Sequence, residues 1–139
     1  MTTTIALSDA SARTAGVLLL AIVTIEYGGT FLLRVVSGGV PATEFQKSFF
    51  RAGHAHAGVL VILGLVGTLL VDATRLDGVA EAVARDGVPA GAILMSAGFF
   101  LSALGRDRQR PNRLVALLWL GAASVAAGVL TLGIGLLTI

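Results

Sequence analysis

The chain has 139 residues, of which 55% are hydrophobic and only 13% charged, with a formal net charge of +2. Water-soluble domains carry about a quarter charged residues, so this composition, with a mean hydropathy of +0.90, excludes a water-soluble globule. The apolar runs are continuous rather than alternating over segments of about ten residues, which excludes a transmembrane barrel and leaves helices as the way to pair every backbone polar group in lipid.

The expected fold is therefore all-α, a single integral membrane four-helix bundle. The absence of cysteine removes disulfides and thiolate ligands. The basic balance comes from arginines beside the spans, so the lipid bilayer is the expected partner and no nucleic acid is needed to account for it.

Residues 1–12 read as a short, polar, loose lead-in. A cleaved signal peptide is not expected, because the apolar run after Arg13 is long, carries Glu26 and is followed by no small-x-small cleavage site. The first span covers about residues 14–36, enough for a core that needs about 20. Glu26 lies ten residues before Val36, about 15 Å from that end and so near the bilayer centre. Glu26, Thr30 and Arg34 are spaced four apart and share a face. Ser37-Gly38-Gly39-Val40-Pro41 is a turn. Thr43 then serves as an N-cap with Gln46 as its capping-box partner, which starts the second helix near Glu44 and gives a span over about 48–71.

Between this span and the third, Leu76, Val79, Ala80 and Val83 recur at helical spacing. They predict an interfacial amphipathic helix over about 74–86, ended by Gly87 and Pro89. The third span covers about 88–104. A basic loop follows with Arg106, Arg108, Arg110 and Arg113, then a fourth span over about 114–137 with Trp119 as an interfacial anchor. Ser124 with Gly128, and Ala123 with Ala127, are small-xxx-small pairs suited to close helix contact.

Four spans put both termini on one side. The first and third loops with their flanks hold seven cations (Arg34, Lys47, Arg51, Arg106, Arg108, Arg110, Arg113), and the other side holds three (Arg13, Arg75, Arg85). The positive-inside bias predicts a plasma-membrane protein with both termini outside the cytoplasm.

Ionisable groups at membrane depth are costly and mark functional candidates. The only two histidines, His54 and His56, lie in Phe49-Phe50-Arg51-Ala52-Gly53-His54-Ala55-His56-Ala57-Gly58 and run straight into lipid-spanning sequence. Lys47, Arg51, His54 and Gly58 form one stripe. His56 lies about 200° round from His54, so the two imidazoles cannot readily grip one ion and should serve different neighbours. Each is a candidate metal or haem ligand, or alternatively a proton carrier; the plain alternative is an interhelical hydrogen bond. Glu26 is a candidate metal ligand and, with Tyr27, a candidate proton relay; the plain alternative is a neutral carboxyl or one paired with Arg51 or Tyr27. Arg51 either snorkels to the interface or grips an anionic group.

Arg51-Ala52-Gly53-His54-Ala55-His56-Ala57-Gly58 resembles the second helix of subunit I of haem-copper oxidases and nitric oxide reductases, where a histidine followed by small residues holds the low-spin haem. The resemblance implies a haem b site in which His56 or His54 ligates iron and Arg51 meets a propionate. No histidine lies in the third or fourth span, so the other axial ligand would come from a second subunit or from Met95, or be missing.

Three functions follow as expectations. The first is a redox or electron-transfer protein holding haem b or a transition metal. The second is a proton-coupled channel or transporter for a small solute. The third is a non-catalytic accessory subunit of a larger membrane complex. The opposed histidines also predict a homo-oligomer or assembly with other subunits.

Overall fold

The structure is a computed structural model, and it describes residues 7–139. Four helices, α1 (Asp9–Val36), α2 (Glu44–Val71), α3 (Gly78–Ala103) and α4 (Ala116–Leu137), form an up-down bundle. A single 3-10 turn, Arg113–Val115, leads into α4. All four helices are long and apolar enough to cross a membrane, and the protein is a multi-pass membrane four-helix bundle.

Helix α1 starts earlier than the lead-in predicts, because Ser8 accepts a hydrogen bond from the Ser11 N–H as its N-cap. Residues 1–6 of that lead-in lie outside the described residues. The start of α2 follows its sequence signal. Thr43 accepts from the Gln46 N–H, and the Gln46 side chain accepts from the Thr43 N–H.

The predicted break at Gly87 and Pro89 does not occur. Instead of an interfacial helix and a separate span, α3 is one helix that carries Pro89 in its interior. Proline removes one backbone donor and disfavours the helix locally. Here the flanking residues Val88 and Ala92 are buried against Leu60, and the Pro89 ring lies against Gly64. Gly87 is likewise a contact point and not a stop. Ser124 Oγ donates to the Gly87 carbonyl at 2.8 Å, and the backbone of Gly128 faces Gly87 directly. Of the two small-residue pairs on α4, Ser124 and Gly128 are thus used in packing, while Ala123 and Ala127 are exposed.

The core runs as three layers along the bundle. One end packs Val35, Phe50 and Ala103 among further phenylalanines. The middle packs Leu60, Val88 and Ala92, and the other end Val71, Ala84 and Leu132. Helix α3 is central, packing extensively on both α2 and α4, whereas α1 touches almost only α2.

The two basic loops meet at one end. Gln46 donates to the Ala103 and Gly105 carbonyls at 2.9 and 2.8 Å, closing the end of α3, and Thr43 Oγ1 donates to the Arg108 carbonyl. At the opposite end Asp72 accepts hydrogen bonds from Ser8 N, Ser8 Oγ and Ser11 Oγ, latching α1 to the end of α2. Burial of the Asp72 carboxylate pushes its pKa up. The hydrogen bonds from Ser8 and Ser11 and the nearby Arg85 outweigh that and hold it below the usual aspartate value.

Candidate functional site

Helical geometry sends the two histidines to different neighbours. His54 faces α1, where consecutive glycines leave room for its ring. A Cβ at Gly29 would stand 3.6 Å from both Cε1 and Nε2 of His54, and one at Gly28 would stand 3.9 Å from Nδ1. An alanine could fit there, but any longer side chain would meet the imidazole. Neither ring nitrogen of His54 makes a hydrogen bond among the described residues.

His56 faces α3. Its ring packs on Phe99 with centroids 4.9 Å apart and planes tilted by 37°. Its Nδ1 lies 2.8 Å from the Ala52 carbonyl oxygen. A carbonyl can only accept, so Nδ1 carries the proton and Nε2 of the neutral ring carries the free lone pair. Gly53 brings α3 close enough for this contact, since a Cβ there would come within 2.9 Å of the Phe100 ring and of Phe99 Cβ. The phenylalanines form a connected layer around this point, with Phe49 edge-on to Phe99 and Phe50 stacked on Phe100. Among the described residues, the buried polar side-chain atoms without a partner are Arg85 Nε and Ser96 Oγ. The free histidine nitrogens are not among them, so each keeps some accessible area although both residues are half-buried.

The other predicted residues do not join this pair. Glu26 and Tyr27 are exposed on the outer side of α1, Tyr27 at 79%. Among the described residues, no hydrogen bond or ion pair links Glu26 to Arg51, to Tyr27 or to either histidine. Arg51 is exposed and its Nε donates to the Lys47 carbonyl at 3.3 Å. It lies about 60° round α2 from His54 but about 140° from His56. Met95 is used in packing, its Cγ filling the notch at Gly121 on α4. No group of three or more His, Asp or Glu side chains among the described residues could hold a metal ion.

Two features of the site carried no clear signal in the sequence. The role of Gly28-Gly29 as a seat for His54 depends on which α1 face meets α2. The partnership of His56 with Phe99 depends on the register of α3. A third feature is a groove of about 490 Å³ between α1, α2 and α3, lined by apolar residues such as Leu18, Ile25, Val61 and Ile93 with Arg13 and Asp86 at one end. It exists because α1 leans on α2 and hardly touches α3.

Comparison of the chain with protein-family models, with curated proteins and with solved structures gives no match.

The arrangement offers one imidazole on each of two faces of α2, and of the two only His56 has its lone pair oriented by a hydrogen bond among the described residues. A bare divalent transition metal usually takes about four protein or water ligands, more than either face supplies. A haem brings four nitrogens of its own and asks for one or two axial ligands, a demand that a single oriented histidine meets.

Proposed function

We propose that this is a plasma-membrane protein that binds haem b through His56 in a redox or electron-transfer setting, with both loops that carry the arginine excess in the cytoplasm and both termini outside. The observation that carries this reading is the hydrogen bond from His56 Nδ1–H to the Ala52 carbonyl. It fixes the tautomer and the ring orientation and makes Nε2 the better donor to a metal, as the outer partners of ligating histidines do. Phe99 holds the plane of the ring, and Gly53 holds Phe99 in place.

Bound there, haem would supply one-electron chemistry. His54 cannot complete the same coordination, because it lies on the far side of α2 against α1. Any further protein ligand to the group would have to come from a second subunit. Arg51 falls on the His54 side, so its expected propionate contact does not accompany ligation by His56. Neither a proton relay through Glu26 and Tyr27 nor a transition metal without porphyrin draws support from the described residues, which link Glu26 and Tyr27 by no hydrogen bond and gather no cluster of three His, Asp or Glu side chains.

The test is a haemin titration of the purified protein in detergent, followed by the Soret band. The wild type and His54→Gln should give a saturable, red-shifted Soret band at about one haem per chain or less, and His56→Ala should lose it. No band from the wild type, or an equal band from His56→Ala, would overturn the reading.

A further inference from the structure

We propose that two copies of the chain meet along the outer face of α1, and that Tyr27 of each donates its hydroxyl to Glu26 of the other. Both groups are exposed, and neither side chain has a hydrogen-bond partner among the described residues. Arg13 and Arg34 flank the apolar stretch of α1, and Glu26 lies eight residues from Arg34, about 12 Å into a hydrocarbon core about 30 Å thick. A carboxyl facing lipid at that depth is strongly disfavoured. Among the described residues no donor reaches it, because α1 turns its opposite face to α2, so the donor is sought on a second molecule.

Helical geometry selects a second copy as the occupant. The α1 residues that pack against the rest of the bundle, among them Leu18, Gly28, Gly29, Phe31, Leu32 and Val35, centre on one side of the helix. The direction opposite to them passes between Glu26 and Tyr27, which are about 100° apart and so flank it about evenly. Copies of a membrane protein share one orientation, so their two-fold axis runs along the membrane normal and equal depths meet. A carboxyl on one flank of α1 then faces the phenol on the matching flank of the other copy, and the reverse. The two residues differ in depth by about 1.5 Å, which the Tyr27 side chain spans easily. Both copies gain a satisfied carboxyl and a satisfied phenol from the same rotation.

The line between the two flanks suits close approach. Gly16, Val23 and Thr30 recur on it every seven residues, the spacing of a left-handed helix pair. All three are exposed, and nothing lies within 4 Å of a Cβ built on Gly16. Thr30 Oγ1 donates to the Tyr27 carbonyl at 2.7 Å, so its polarity is internally satisfied. Arg34, near the end of this line, can extend to the headgroups.

The natural chain contains no cysteine, so single-cysteine variants of the full chain report contacts cleanly. In liposomes at low protein density, mild oxidation should cross-link Val23→Cys and Thr30→Cys into disulfide dimers. Leu130→Cys on α4, 64% exposed in the single chain, should not cross-link. Förster transfer between labelled copies, followed on lipid dilution, should show the dimer weakened about tenfold by Tyr27→Phe, as expected for losing a symmetric pair of membrane hydrogen bonds. Cross-linking no faster from the α1 positions than from Leu130→Cys would overturn the proposal. So would a monomer at every dilution, or a different protein occupying α1 after purification from native membranes.

Discussion

The contact between α3 and α4 makes a quantitative prediction about Gly87→Ala. An alanine Cβ there would stand 2.8 Å from Gly128 Cα, 3.0 Å from Gly128 N and 3.0 Å from the Ser124 carbonyl oxygen. All three are backbone atoms, so no side chain can rotate out of the way. The helices must separate by about 0.7–1.2 Å to restore carbon contacts of about 3.5–4.0 Å. That separation stretches the 2.8 Å bond from Ser124 Oγ to the Gly87 carbonyl toward the limit of a hydrogen bond. An interhelical hydrogen bond in a membrane contributes about 0.6–1.7 kcal/mol, and overpacking costs about 1–3 kcal/mol. Alanine's higher helix propensity returns up to about 1 kcal/mol. The net expectation is destabilisation by about 2 kcal/mol, close to a thirtyfold shift in the folding equilibrium. The control is the same chemical change at Gly133 on α4, where nothing lies within 4 Å of the new Cβ and the effect should be neutral or slightly stabilising. Unfolding in mixed micelles by added SDS, followed by far-ultraviolet circular dichroism, measures both. If Gly87→Ala and Gly133→Ala are equally stable, the backbone contact between α3 and α4 does not limit the packing.

Further expectations concern the two ends of the bundle. Gln46→Leu leaves the Ala103 and Gly105 carbonyls without their donor and should cost about 1–3 kcal/mol in the same unfolding assay. The depressed pKa of Asp72 means that its latch on α1 is fully present above the unfolded value of about 3.9 and is lost as pH falls through the lower folded value. Hydrogen exchange in residues 8–14 should therefore rise in acid beyond the intrinsic pH dependence of exchange, and Asp72→Asn should abolish that excess. An unchanged pH profile in Asp72→Asn would mean that the latch does not hold α1.

Much of the architecture was legible because in lipid the backbone constrains itself. Long apolar runs can only be helices, and the capping box at Thr43 and Gln46 is a local device that no distant contact needs to complete. The opposition of His54 and His56 was equally readable, since it follows from the pitch of the helix alone. Gly87 and Pro89 were misleading for the converse reason. Their local preference is to end a helix, and packing of Val88 and Ala92 on α2 outweighs it. Gln46 was visible as a cap, but its two bonds to the end of α3 were not, because they join residues far apart in sequence.

The sequence by itself determined the class of protein, the number of membrane-crossing helices and the opposition of the two histidines round α2, all of which depend on hydropathy and helical pitch within single segments. Only the tertiary structure decided what each face meets: Gly28-Gly29 for His54, Phe99 for His56, and no side-chain partner among the described residues for Glu26. The reason is that apolar residues lie all round the membrane-crossing part of each helix, so its pattern says little about which neighbour it will choose. In a membrane that choice rests on close fit, at Gly53 against Phe100 and at Gly87 against Gly128, and fit becomes visible only when the helices are together.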